Sequence, residues 1–229
     1  RLRHAAQNRL LQILALVAID PPAGPDAPAP DAAKVTLLES VLALRPEDVV
    51  RGQYQGYRAE TGVAPDSEVE TYFAARLRVD NARWSGVPFF ISTGKYLAET
   101  STTVRVRLKP PSHRLFDPGD PARNEFCFRL GPDVAIALIA RTKLPGEAMV
   151  GEDIDLVEAR PPVDEMKPYE RLLGDALEGD HTLFGSFAGI QSAWRIVQPV
   201  LDAAVPLHPY ERGSWGPAAM NTLVRSVTR

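Results

Sequence analysis

The sequence has one cysteine, Cys127, so an internal disulfide cannot form and a cysteine-based zinc site is excluded. It has four histidines, His4, His113, His181 and His208, and none stands in a metal-ligand spacing such as His-x-x-x-His. It lacks an excess of positive charge. Lys plus Arg is 26 and Asp plus Glu is 29, a formal net charge of −3, which excludes a nucleic-acid grip driven by bulk charge. It also lacks a long apolar run. Leu10 to Ile19, broken by Gln12, falls short of the roughly 20 residues a bilayer span needs. No small-residue cleavage site follows that run, so neither a membrane span nor a signal peptide is expected. With no Asn-x-Ser/Thr sequon and a lone cysteine, the cytoplasm is the expected compartment.

Motifs of phosphate and acyl chemistry are missing too. There is no Gly-x-Gly-x-x-Gly. Ser92-Thr93-Gly94-Lys95 has Phe89 where a phosphate loop needs its first glycine, and Tyr96 where it needs a hydroxyl for magnesium. No serine lies in a Gly-x-Ser-x-Gly elbow. Asp153 and Asp155 alternate on a strand edge, which reads as a solvated face rather than a catalytic pair. What is present is ordinary for a globular chain, with 45% hydrophobic and 24% charged residues, and disorder over the whole length is excluded. The 229 residues suit one large domain or two small ones. The chain opens Arg1-Leu2-Arg3-His4 and runs straight into a helical pattern, which reads as part of a longer protein.

Residues 1–20 read as a helix. Leu10, Leu11, Ile13, Leu14, Leu16, Val17 and Ile19 cover most of its circumference, as in a helix buried nearly all round. In this chain, one side of it is expected to be exposed and to favour association. Asp20-Pro21-Pro22 ends it, a Pro/Ala loop follows to Pro30, and Asp31 is the expected N-cap of a second helix over about 32–44. From about residue 46 the pattern turns to strands. Phe73, Ala75, Leu77 and Val79 alternate with Arg76, Arg78 and Asp80; Val104, Val106 and Leu108 alternate with Arg105, Arg107 and Lys109. Further strands are expected at 125–130, 134–141 and 153–157, with a turn at Gly131-Pro132-Asp133. Helices return at about 168–179 and 189–204, and Pro217 opens a short last one. The expected fold class is α+β, a large mostly antiparallel sheet with helices packed on one face.

Several blocks carry more than periodicity. They are Val49-Val50-Arg51-Gly52-Gln53-Tyr54 with Gly56-Tyr57; Asp80-Asn81-Ala82-Arg83-Trp84-Ser85-Gly86-Val87-Pro88-Phe89-Phe90 with Thr93-Gly94-Lys95; Tyr169-Glu170-Arg171-Leu172-Leu173-Gly174-Asp175-Ala176 with Gly179-Asp180-His181-Thr182-Leu183-Phe184; and Gly213-Ser214-Trp215-Gly216-Pro217. In this order, over essentially the whole chain, they resemble the C-terminal part of glucose-6-phosphate dehydrogenase. The opening Gln7-Asn8-Arg9-Leu10-Leu11-Gln12 to Ala18-Ile19-Asp20-Pro21-Pro22 is similar to the family's Gln-Asn-His-Leu-Leu-Gln helix ending Ala-Met-Glu-Pro-Pro. The resemblance implies that residues 1–229 form the substrate-side domain of an oxidoreductase. That enzyme takes glucose 6-phosphate and NADP to the lactone in the pentose phosphate pathway, and it forms a homodimer or larger assembly through its sheet. It also implies that the coenzyme domain and the His-Tyr-Leu-Gly-Lys segment stand upstream, so this chain alone holds no catalytic NADP site and is inactive. Within the matched blocks, Arg83-Trp84 with Gly86 and Pro88 reads as a packed sheet corner, and Tyr169, Arg171 and Asp175 as helix-to-sheet contacts.

The resemblance breaks at the helix that opens the chain. Where the family carries its general base, a histidine, this sequence has Arg9, and a guanidinium with a pKa above about 12 and no acceptor cannot take a proton. Where the family has a sugar-binding Asp, this sequence has His4, about 7.5 Å away along a helix axis, too far to stand in for the base. Lys95 matches the family's substrate-contacting lysine after Thr-Gly, while Thr100 and Ser92 replace two further cations. As for a second, structural NADP, Arg123 matches a contributing position, but Trp215 stands where an arginine would be. Three readings stay open: a fragment of a working dehydrogenase with an altered site, a catalytically degenerate paralogue with a structural or regulatory role, and a dehydrogenase retuned for another anionic sugar. The departures imply weak or no glucose 6-phosphate oxidation by the parent.

Overall fold

The computed structural model describes residues 9–21, 30–110, 113, 124–159, 168–180, 184–201 and 203–225. They fall into two compact units. The first comprises the chain up to Ala98 together with everything from Pro168 on, and the second runs from Glu99 to Lys167.

The first unit is a four-stranded sheet between two cores. Its strands are β1 (Val49–Tyr54), β2 (Tyr72–Arg78), β3 (Pro88–Gly94) and β8 (Leu207–Tyr210), in spatial order β3-β2-β1-β8. The β1–β2 and β2–β3 pairs are antiparallel and β8 joins β1 in parallel. One face carries Val49, Phe73, Ala75 and Leu77, and three helices cover it: α1 (Leu11–Ala18), α2 (Pro30–Ser40) and α4 (Phe187–Leu201). Helix α1 buries Leu11, Leu14, Ala15 and Ala18, which are one stripe at helical spacing. Its other side leaves Leu16 and Val17 exposed, at 60% and 43%, so the stretch that is apolar all round in sequence has one open side in this chain. Helix α2 opens on Pro30, which suits a first turn, so Asp31 lies inside that turn and pairs with Lys34 at 3.4 Å instead of capping it. Ser186 accepts a bond from the Gly189 amide at 3.2 Å and so begins α4. At the far end of α2, the Arg195 guanidinium donates to the carbonyls of Leu38, Glu39 and Val41, satisfying acceptors that the helix end leaves open.

The opposite face carries Val50, Tyr54, Tyr72, Ala74 and Tyr210, and it is closed by α5 (Ala219–Arg225) through Leu223. Helices therefore lie on both faces of this sheet, three on one and one on the other. Arg76 and Arg78 lie on this second face too, yet they are not simply solvated. Both reach the carboxylate of Asp48, which is 1% exposed and stands in the short 3₁₀ turn Pro46–Asp48 before β1. The corner block packs as expected: the Trp84 indole donates to the Ala18 carbonyl at 2.8 Å, its ring meets Phe89 edge-on, and Arg83 lies over it. Helix α3 (Pro168–Glu178) differs from expectation. Tyr169, Leu173 and Leu177 recur every four residues on one stripe, and that stripe is exposed rather than turned onto a core of its unit.

The second unit is a meander of β4 (Thr102–Arg107), β5 (Glu125–Gly131), β6 (Ala135–Lys143) and β7 (Gly151–Ala159), antiparallel throughout and in sequence order. The strands thus form two four-stranded sheets, not one broad sheet, within the expected α+β class. The register places Val104, Val106, Phe126, Phe128, Ile136, Leu138, Ile154 and Leu156 on one face. The other face holds the basic alternation and neutralises it internally. Glu125 accepts from Arg105 and Arg107 at 3.0 and 2.9 Å, and Arg141 pairs with Asp153 at 3.0 Å. Among the described residues, no helix is long and apolar enough to cross a membrane.

Candidate functional site

At the centre of the site stands Tyr72, the first residue of β2, which is almost fully buried. Three glycines make room for its side chain. A Cβ on Gly52 would come within 3.1 Å of the Tyr72 Cβ, one on Gly94 within 2.8 Å of its ring, and one on Gly216 within 2.5 Å. Gly216 also has φ +101°, a conformation side chains resist. These glycines come from three of the sequence blocks above, Arg51-Gly52-Gln53-Tyr54, Thr93-Gly94-Lys95 and Gly213-Ser214-Trp215-Gly216-Pro217. The blocks are far apart in sequence and meet around one ring.

Burial pushes the Tyr72 phenol up to about 12, with the nearby Tyr210 adding to the shift and a hydrogen bond with Ser92 opposing it. Because the folded value is raised, the associated stability is complete below pH 10, the ordinary tyrosine value, and is lost as pH rises from there towards 12. An alkaline unfolding scan should therefore show the midpoint falling above about pH 10, and Tyr72→Phe should flatten that fall. A scan of equal slope in the two proteins would refute the assignment. Tyr54 is likewise raised, by burial first and then by the neighbouring Glu60 carboxylate.

Lys95 follows Gly94 at the end of β3 and is exposed. Its ammonium makes no hydrogen bond or ion pair among the described residues. Its backbone is another matter. The Lys95 amide donates to the Thr71 carbonyl at 2.9 Å, and the Lys95 carbonyl accepts from the Tyr210 hydroxyl at 2.8 Å. The next residue, Tyr96, has φ +50°, and its carbonyl accepts from the Gly213 amide at 2.8 Å. Arg212 lies over the rings of both Tyr54 and Tyr96, at 4.7 and 4.5 Å, and pairs with Glu60 at 2.6 Å. The Lys95 backbone is therefore held between the β2 entrance and the segment that follows β8.

Arg9 is exposed and precedes α1, whose buried stripe belongs to the three-helix core, whereas Lys95 stands beside the Tyr72 core. No hydrogen bond or ion pair joins the two. Ser92 and Thr100 are both exposed, and Trp215, where the resemblance places an arginine, is 69% exposed. His4 and Arg123 lie outside the described residues. The sequence did not single out Thr71, Tyr72, Tyr210 or Arg212; the only signal for them was the recurrence of glycines in blocks that converge on Tyr72. A separate open cleft of about 480 Å³ lies by Gln53, Arg58 and His208, but Lys95 does not line it. The Gln53 amide and the Arg58 guanidinium there already donate to the Ser67 carbonyl.

The described strands do not carry the strand–helix–strand unit that cradles a dinucleotide in open α/β folds. The parallel pairing among the described strands, β1 with β8, joins strands far apart in sequence and not the neighbours of a strand–helix–strand unit. No step of nicotinamide chemistry is assigned to them.

An α+β domain with two mostly antiparallel sheets and a held lysine beside a glycine-lined tyrosine is the class of protein seen here. The sequence model of the glucose-6-phosphate dehydrogenase C-terminal domain matches residues 1–229, and the chain belongs to that family. It is 41% identical over 228 residues to glucose-6-phosphate 1-dehydrogenase 1 of Mycobacterium tuberculosis, an alignment covering 98% of this chain and 48% of that protein. The crystal structure of glucose-6-phosphate 1-dehydrogenase from Mycobacterium avium superposes with a TM-score of 0.86 at 40% identity, over 97% of this chain and 48% of that one. A glucose-6-phosphate dehydrogenase solved in complex with its substrate, glucose 6-phosphate, superposes with a TM-score of 0.84 at 27% identity, over 100% of this chain and 50% of that one. The chain thus spans about half the length of the relatives it matches.

Proposed function

We propose that this chain is the substrate-side half of a cytoplasmic, dimeric oxidoreductase that oxidises glucose 6-phosphate with NADP in the pentose phosphate pathway, with Lys95 contacting the sugar phosphate. The observation that carries this reading is the backbone at Lys95. A surface lysine at a strand end needs no such support, yet Gly94 has no room for a side chain and Tyr96 is kept in a left-handed conformation. An ammonium without a partner among the described residues suits an anionic ligand. Support for the substrate comes from family membership and from the relative solved with glucose 6-phosphate. The coenzyme site belongs to the part of the parent that this chain does not contain. The apolar face of β4–β7 is the surface on which the dimer reading rests.

Within this reading, Arg9 does not abstract the sugar proton, because its guanidinium has no lone pair to offer. The parent then binds the sugar phosphate better than it turns it over. In the full-length protein, Lys95→Ala is expected to raise KM for glucose 6-phosphate about tenfold or more, the cost of a lost charge-assisted bond. The coenzyme KM should stay unchanged. Initial-rate kinetics check this, and an unchanged sugar KM removes Lys95 from the site.

A further inference from the structure

A lysine stem has four rotatable bonds, and on a loose backbone its charge sweeps a wide volume. Two residues of the segment that begins in β8 limit that sweep at its base. The first is Tyr210. Its hydroxyl donates to the Lys95 carbonyl at 2.8 Å and lies 3.0 Å from the Thr71 hydroxyl, which accepts from the Tyr54 amide at 2.9 Å. The Tyr210 proton is committed to Lys95, so the Thr71 hydroxyl must donate to the Tyr210 oxygen. The bonds then run one way, from the Tyr54 amide through Thr71 and Tyr210 to the Lys95 carbonyl, and each polarises the next. The Lys95 amide returns to the Thr71 carbonyl, so both peptide groups of Lys95 are fixed to the same neighbour pair.

The second residue is Arg212. Its guanidinium lies over the rings of Tyr54 and Tyr96 and is oriented by Glu60. Tyr96 is the only described residue other than glycine with positive φ. A non-glycine residue keeps such a conformation where its surroundings over-determine it. The surroundings here are the Arg212 stack on the ring and the Gly213 amide on the carbonyl.

We propose that Tyr210 and Arg212 are positioning residues that aim the Lys95 ammonium at the phosphate of the bound sugar, without touching the sugar themselves. This rests on the reading of Lys95 as a sugar-phosphate contact.

The test is a coupling experiment on the full-length protein. Calorimetry measures the affinity for glucose 6-phosphate in the absence of coenzyme, so it does not depend on turnover. Lys95→Ala is expected to weaken binding about tenfold or more, and Tyr210→Phe about three- to tenfold. In the Lys95→Ala background, Tyr210→Phe should add nothing, since no ammonium is left to aim. Arg212→Ala should weaken binding in the same coupled way, and Arg212→Lys should restore part of it by keeping a cation over the rings and beside Glu60. Affinity for NADP should be unchanged throughout. An equal loss from Tyr210→Phe in both backgrounds marks a general structural role and overturns the proposal, as does no loss in either. If Lys95→Ala leaves the affinity unchanged, the reading of Lys95 itself fails, and the aiming role falls with it. If Tyr210→Phe does not fold, the two Arg212 variants take its place in the same cycle, and an equal loss in both backgrounds again overturns the proposal.

Discussion

Asp48→Ala is expected to cost about 3 kcal/mol of folding stability, at the low end of what breaking a buried ion pair costs. Asp48 is 1% exposed, and its two oxygens are divided between two arginines of the adjacent strand. Arg76 donates to Oδ1 from Nε and Nη2 at 2.9 and 2.5 Å, and Arg78 donates to Oδ2 at 2.9 Å. Arg76 and Arg78 are two residues apart on β2, so their side chains share one face. Removing the carboxylate leaves two like charges side by side without the counter-charge that offset their burial. Both arginine side chains stay partly exposed, at 21% and 38%, and for that reason the expected loss sits at the low end of the range. Urea unfolding of the full-length protein should show a lower midpoint with an unchanged slope. A midpoint equal to that of the unmodified protein would mean that water replaces the carboxylate without loss.

The second large effect concerns turnover. Full-length protein carrying Arg9→His with His4→Asp is expected to oxidise glucose 6-phosphate about 10²-fold faster than the unmodified protein, the low end of what a positioned general base contributes. Taking hydride from the sugar carbon requires its hydroxyl proton to leave. A neutral imidazole accepts that proton near neutral pH, whereas a guanidinium remains a donor. Arg9 is exposed and makes no hydrogen bond or ion pair among the described residues, so its replacement breaks none of these. Steady-state NADPH production at saturating substrate measures the gain. No gain from the double change would refute the reading that Arg9 and His4 limit turnover.

Much of the fold was readable in the chain. The alternation from Phe73 to Val79 and from Val104 to Leu108 foretold β2 and β4, and Pro168 and Pro217 foretold where α3 and α5 begin. Three strands, β1, β3 and β8, were not placed in advance, two of them for a physical reason. The strands β3 and β8 are the edges of their sheet, and both contain proline, Pro88 and Pro209, which an edge tolerates and a strand pattern does not suggest. The candidate lysine was legible as well, but only through the Thr93-Gly94-Lys95 block. Nothing local to Lys95 announced that a tyrosine 115 positions later holds its backbone.

The sequence by itself determined the local periods, the approximate place of most elements, and the family. These depend on residues within a few positions of one another or on the order of blocks. The tertiary structure alone decided that the strands divide into two sheets, that Arg76 and Arg78 share the buried Asp48, and that Gly52, Gly94 and Gly216 close around Tyr72. Each of these is set by the register between distant segments. A shift of one residue would turn every side chain of a strand to the other face, and no local pattern records which distant strand it will meet.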